Sequence, residues 1–104
     1  MKESDWKIFK HIKQKAIEEY CEQALKEFSE IINDDKEHVH NRFLLIHRLA
    51  QNRKKGMGLI FDYDSRSKAA IQLILIRREG LADSHLLNKL SDNFLQETDP
   101  KSLK

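Results

Sequence analysis

Residues 65–78 have the sequence SRSKAAIQLILIRR, whose seven apolar residues would point in nearly every direction around a helix. They are Ala69, Ala70, Ile71, Leu73, Ile74, Leu75 and Ile76. Such a pattern is typical of a helix buried on most sides. Asp62, Asp64 and Ser65 offer N-caps before it, and Gly80 offers a left-handed residue to end it. We therefore predict a helix over 65–78 at the centre of an all-α bundle.

A β-hairpin is the alternative for this stretch, because short apolar runs do not distinguish strands from helices. Residues 58–63 would then pair with residues 69–77. The adjacent Ala69 and Ala70, together with Gln72, are poor strand formers and favour the helix.

Two long helices precede the central one, because apolar residues recur there at steps of three and four. The first is predicted over 5–32, with Ser4 as its N-cap. The second is predicted over 36–54. Gly56 and Gly58 each cost about 1 kcal/mol relative to Ala inside a helix, so we expect the second helix to end or kink there.

The last helix is predicted over 83–98, with Asp83 or Ser84 as its N-cap and a proline shortly after its end. The four helices then form one bundle. We expect residues 1–104 to be a single helical domain, since a chain of this size builds one core, and residues 100–104 to be a frayed tail.

The composition favours a cytoplasmic protein. A lone cysteine, Cys21, excludes an internal disulfide and is typical of a reducing compartment. The sequence shows no secretory leader, and no apolar run approaches the roughly 20 residues that a membrane span needs. We expect no membrane association.

Positive charge is concentrated in the middle of the chain. Residues 36–78 hold ten Lys/Arg and three acids, for a net charge of +7, while the two flanks together carry −5. If the central cations share a face, they would suit nucleic acid or a phosphorylated ligand; otherwise they dock against the acidic flanks. The candidate basic patch is Arg42, Arg48, Arg53, Lys54, Lys55, Arg77 and Arg78.

The start of the central helix is a candidate anion site, because free backbone NH groups at a helix N-terminus attract anions. The residues are Ser65, Arg66, Ser67 and Lys68, which supply two hydroxyls and two cations. The alternative is that a serine or aspartate caps the helix while the two cations pair with carboxylates elsewhere.

The sequence contains no catalytic motif that we can identify, and we predict no catalytic residues, no metal and no cofactor. Glu37 and His40 form one Glu-x-x-His step, but a helical di-metal site needs a second step and two further glutamates. Cys21 lies on the apolar seam of the first helix, which favours a buried and inert thiol.

Two polar residues interrupt apolar stripes, namely Arg53 and Gln72. Buried polar groups need hydrogen-bond partners, so we predict structural hydrogen bonds for both. If the Arg53 guanidinium instead faces a cleft, it becomes a contact for a ligand or partner.

Residues 60–69, followed by Gln72, Leu73 and residues 77–81, resemble a segment of short uncharacterised bacterial helical proteins of similar length. The resemblance covers most of the chain. It implies a small helical cytoplasmic protein and no particular activity, cofactor or site residue.

Long amphipathic helices in a short chain leave apolar surface for a partner to cover, and a symmetric dimer is the commonest solution. We therefore predict a non-enzymatic interaction module whose partner is itself or another protein. The contact candidates are Trp6, Phe9, Tyr20 and Leu95, chosen because large apolar residues near chain ends are hard for one small core to cover.

Overall fold

The computed structural model describes residues 1–102, and all of its regular secondary structure is helical. The α-helices are α1 (Glu3–Ile32), α2 (Val39–Phe61), α3 (Ala69–Arg78), α4 (Ser84–Leu87) and α5 (Asp92–Glu97). Two 3₁₀ helices, Arg66–Lys68 and Pro100–Ser102, complete the fold. The prediction of an all-α protein is confirmed. Over residues 1–102 there is no strand, so the hairpin alternative is wrong.

α1 begins two residues earlier than predicted and ends where predicted. Its N-cap is Lys2, which makes no side-chain capping bond, so the prediction of Ser4 as the cap is wrong. Glu3 and Asp5 lie in the first turn, where carboxylates interact favourably with the positive end of the helix dipole.

α2 continues through Gly56 and Gly58 to Phe61, so the predicted end of this helix was wrong. Gly56 serves a close approach between helices instead. A Cβ at this position would lie 2.6 Å from the Tyr20 hydroxyl oxygen, which donates a hydrogen bond of 2.7 Å to the carbonyl of Arg53. The missing side chain therefore lets α1 and α2 cross closely.

The single helix predicted over 83–98 is two short helices, which makes five α-helices in the described part of the chain rather than four. Asp83 caps α4 by accepting from the Leu86 NH at 3.0 Å, as predicted. Ser91 caps α5 by accepting from the Phe94 NH at 3.3 Å and so starts a new helix. Residues 103 and 104 of the predicted tail lie outside the described residues.

The core lies where α3 packs against the first half of α1 and the end of α2. Leu73 and Ile76 of α3 are fully buried, as are Ile12 and Ala16 of α1. Gly80 ends this segment with φ of 71°, the left-handed conformation expected for it. The N-cap predicted from an aspartate or serine does not form, because the chain enters α3 through the first 3₁₀ helix without a side-chain cap.

Gln72 is completely buried and donates from its side-chain nitrogen to the carbonyl of Ile60 at 3.0 Å. The predicted structural hydrogen bond is therefore present and joins α3 to α2. The side-chain oxygen of Gln72 has no hydrogen-bond partner.

Asp5 links the two ends of the fold. It is buried, and its carboxylate accepts from the NH and the hydroxyl of Ser91 at 2.8 and 2.6 Å. The residue that caps α5 is thereby fixed to the first turn of α1.

The molecule is elongated, with extents of 53 × 24 × 22 Å. Its radius of gyration is 16.7 Å, compared with about 13 Å for a compact domain of this size. None of the helices among residues 1–102 is long and apolar enough to cross a bilayer.

Two alanine substitutions separate the role of Gly56 from helix propensity. Gly56→Ala should lower the free energy of unfolding by about 1–2 kcal/mol, because the new methyl group displaces the rigid Tyr20 ring from its hydrogen bond. In Gly58→Ala, the new methyl group meets only the exposed Asp62 carboxylate at 3.0 Å, which can turn away into solvent, so stability should rise by up to about 1 kcal/mol. Urea denaturation measures both, and equal effects would contradict this account.

Removal of the Asp5 carboxylate should loosen the end of the bundle. Asp5→Ala should lower the free energy of unfolding by about 2–3 kcal/mol, since the half-buried NH and hydroxyl of Ser91 lose their acceptor. The control is Asp34→Ala in the exposed loop, which should change stability by less than about 0.5 kcal/mol. Similar losses in the two variants, measured by chemical denaturation, would contradict this role for Asp5.

Candidate interaction surface

The distal part of the α1–α2 hairpin projects beyond the core. We call residues 21–52 the arm, since they lie beyond the contact between Tyr20 and Arg53. In α2 only Ile60 and Phe61 are buried, and both lie outside the arm. Within the arm, Ala24 is the one buried residue of α1. The arm is thus a two-helix structure with no third layer over it.

The two helices of the arm are held together at both of its ends. Near the core, Arg53 forms an ion pair with Glu27, and its guanidinium lies 5.2 Å from the centre of the Tyr20 ring. At the tip, Arg42 donates to the carbonyls of Ile32 and Glu37 at 2.6 and 3.1 Å. These contacts satisfy the last carbonyl of α1 and fix the start of α2 beside it.

Both helices of the arm carry exposed apolar stripes. Large side chains are at least half exposed at Leu25 (63%), Ile32 (56%), Val39 (70%) and Phe43 (69%). Each stripe repeats at steps of four and three, which places its members on one side of its helix. The stripe of α1 is Cys21, Leu25, Phe28 and Ile32, and that of α2 is Val39, Phe43, Ile46 and Ala50.

The two stripes lie on the same side of the hairpin. In α1 the exposed Leu25 follows the buried Ala24, and in α2 the exposed Phe43 follows the half-buried Arg42, which contacts α1. One step along a helix turns about 100° in a fixed sense. Since the helices are antiparallel, the same turn from their facing sides brings both stripes to one surface, which we call the arm face.

On α1, the stripe of the arm face points away from core residues of the same helix. Nine residues, or about two and a half turns, separate the fully buried Ile12 from Cys21 and the fully buried Ala16 from Leu25. These pairs therefore point in opposite directions. The buried residues of the core cluster on α1 lie between Phe9 and Tyr20, and the large side chains at Leu25, Ile32, Val39 and Phe43 stay at least half exposed.

The loop at the arm tip is an ordered helix start. The His38 side chain caps α2 by accepting from the His40 NH at 3.2 Å. Glu37 accepts from the Asn41 amide at 2.9 Å and from the His38 NH at 3.0 Å. The Asn41 bond, followed by the His38 bond, lowers the pKa of the Glu37 carboxyl below its usual value. Across the described chain, no three His, Cys, Asp or Glu residues are grouped to hold a metal ion.

The candidate anion site is exposed, and its Arg66 is committed elsewhere. Arg66 pairs with Glu3 and lies over the Trp6 ring at 5.2 Å. The hydroxyls of Ser65 and Ser67 lie 3.0 Å apart and contact each other. For Arg66, this arrangement corresponds to the alternative in which the cation pairs with a carboxylate elsewhere in the chain. Binding of an anion by these residues stays a prediction.

The candidate basic patch is divided by the fold. Arg42 and Arg53 make the internal contacts of the arm, and Arg77 donates to the Leu95 carbonyl at 2.7 Å and to the Thr98 hydroxyl at 3.0 Å. The predicted structural hydrogen bond of Arg53 is replaced by an ion pair. The other four members are exposed: Arg48, Lys54 and Lys55 on α2, and Arg78 at the end of α3.

The predicted contact residues lie mostly in or beside the core. Phe9 and Tyr20 are 2% and 8% exposed, so they are core residues rather than surface contacts. Trp6 and Leu95 are half-buried against the core. The first turn of α1 is covered because Asp5 accepts from the N-cap of α5 and Glu3 pairs with Arg66 of the 3₁₀ helix before α3. Of the ten large apolar side chains that are exposed in the described chain, six lie in the arm. Cys21 is half-buried, and its thiol is free.

Three comparisons were made, against protein-family models, curated proteins and solved structures, and none of them gives a match for this chain.

Proposed function

We propose that this chain is a non-enzymatic helical interaction module that self-associates through the arm face. The exposed apolar surface of an otherwise ordered hairpin carries the proposal. Contiguous apolar surface of this kind marks a site of association, because leaving it in water costs free energy. A second copy is the occupant proposed.

The exposed area of the chain supports a partner of its own size. The accessible surface is 7468 Å², whereas a compact monomer of this mass exposes about 6,100 Å². The surplus of roughly 1,400 Å² exceeds the ~800 Å² that each partner contributes to a standard interface. Two arms stacked face to face would form four antiparallel helices, in which the stripes of both copies become the bundle core.

The arm also suits this proposal by its rigidity. The helices are fixed to each other by the Arg53 and Arg42 contacts, so association does not have to order them first. Binding between preformed surfaces avoids the entropic cost of folding a segment on contact. The arm face is thus ready to bind in the free chain.

Charge substitution in the arm face should prevent self-association. Phe43→Glu places a carboxylate in the proposed interface and should raise the dimer dissociation constant by about 100-fold or more, because each copy buries an unpaired charge. The matched control is Leu59→Glu on the same helix. Leu59 is 68% exposed, against 69% for Phe43, but lies about 160° away around the helix, so this change should leave the dimer intact.

Analytical ultracentrifugation over a range of concentrations measures these constants, and circular dichroism checks that both variants keep their helix content. A wild-type chain that stays monomeric throughout would contradict the proposal. If both substitutions weaken dimerisation equally, the arm face is not the interface.

A second candidate function, binding of nucleic acid, is favoured by the charge of α2. This helix holds five Lys/Arg and no acid over 23 residues. Arg48 and Lys55 lie seven positions apart on its outer side, away from α1, and both are exposed. They could contact successive phosphates of one strand without disturbing the arm face.

Reversal of these two charges tests the second candidate. The double variant Arg48→Glu/Lys55→Glu should weaken binding to a fluorescent duplex oligonucleotide and reduce the slope of log affinity against log salt by about two units. The control double variant Lys89→Glu/Lys101→Glu has the same net charge but changes exposed residues elsewhere. If fluorescence anisotropy shows equal losses for both variants, attraction is general and α2 is not a specific site.

A further inference from the structure

Acidic and basic residues are divided between α1 and α2, both in the arm and in the turns that join it to the core. Residues 18–32 of α1 contain five glutamates and one lysine, whereas α2 contains basic residues and no acid. Within one copy, this division allows Glu27 to pair with Arg53. It also gives the arm face one acidic edge, along α1, and one basic edge, along α2.

The edges of the arm face are formed by residues three and four positions from its apolar stripes. On α1, Glu22 lies three positions before Leu25. On α2, Lys54 lies four positions after Ala50 and two positions beyond the end of the arm. Both charged residues are exposed. They therefore border the apolar surface and remain available to a second molecule.

Contacts between the helices show which residues of α1 and α2 are level with each other. Gly56 of α2 lies against the Tyr20 hydroxyl of α1, and Arg42 reaches the Ile32 carbonyl at the tip. Counting from these contacts with the same rise per residue in both helices places Glu22 level with residues 52–54. Lys54 is within this range.

Two copies can stack arm face to arm face about a two-fold axis in two ways. If the axis runs along the arm, each α1 lies against α2 of the other copy, and every residue keeps its height. If the axis runs across the arm, α1 lies against α1 of the other copy and α2 against α2, and the two arms point in opposite directions. We call this the crossed arrangement. The charge of the two edges distinguishes these arrangements.

Building on the self-association proposed above, we infer that the two arms are parallel, with the two-fold axis along them. Glu22 of each copy then meets Lys54 of the second copy, twice by symmetry. The crossed arrangement would instead set the glutamate-rich edge against itself and the basic edge against itself. Charge complementarity of this kind fixes orientation more than affinity.

In parallel arms the two cores stand at the same end of the dimer. On α1, the buried Ile12 and Ala16 point away from the stripe that contains Cys21 and Leu25. Asp34 and Asp35 of both copies come together at the arm tips. They are exposed, so water and salt screen their repulsion over a distance of about 10 Å.

A spin-label distance distinguishes the two arrangements. Ser4 is exposed at the far end of α1, about 33 Å from the middle of the arm near residue 26. In a Cys21→Ser/Ser4→Cys chain carrying nitroxide labels, parallel arms should give a distance below about 40 Å, and crossed arms about 65 Å. Electron–electron double resonance measures it once ultracentrifugation shows that Cys21→Ser dimerises as the wild type does.

A charge-swap series provides the second test. Glu22→Lys and Lys54→Glu should each raise the dissociation constant about five-fold, and the double variant should restore it to near the wild-type value. Crossed arms give the opposite result, since each single change relieves a like-charge contact. A dimer with the long label distance, or without rescue, overturns the parallel orientation alone. A chain that never dimerises overturns the proposed self-association, and the orientation with it.

Discussion

The mismatch in length between the α1–α2 hairpin and the helices that pack on it determines the rest of the structure. α1 has 30 residues and is about 45 Å long, whereas α3 has ten residues and covers about 15 Å. α4 and α5 are shorter still. This small layer can bury the first half of the hairpin only. The second half projects as the arm, and its apolar residues find no cover within the chain.

The bounds of a helix could be predicted from the sequence where local periodicity determines them. They could not be predicted where a contact with a distant residue determines them. The bounds of α1 were predicted to within two residues because its apolar spacing is regular. The predicted end at Gly56 failed because the penalty for glycine is outweighed by a contact with Tyr20, 36 positions earlier. The break at Ser91 was missed because Asp5, 86 positions away, helps to fix that residue as a cap.

The candidate surface was missed for a related reason. Periodicity shows which residues share a face of a helix, and not how far the next layer of the fold reaches along it. Phe9 and Phe43 lie on stripes of the same spacing, yet one is 2% exposed and the other 69%. One signal could have found the arm: the predicted helices over 65–78 and 83–98 are each about half as long as the first, so they leave part of it uncovered.

Three arginines of the positively charged central segment make contacts within this architecture. Arg42 and Arg77 donate to carbonyls in the last turns of α1 and α5, where the helix dipole favours a cation. Arg53 pairs with Glu27 where no third layer holds the hairpin, and both side chains stay partly exposed, so the pair contributes less than about 1 kcal/mol. The arm therefore depends more on the apolar contacts between its two helices than on this pair. Because α2 has no acid and α1 is rich in glutamate, opposite charges already attract the two helices to each other within one chain. The same complementarity, facing outward along the edges of the arm face, is what a second copy of this chain would match.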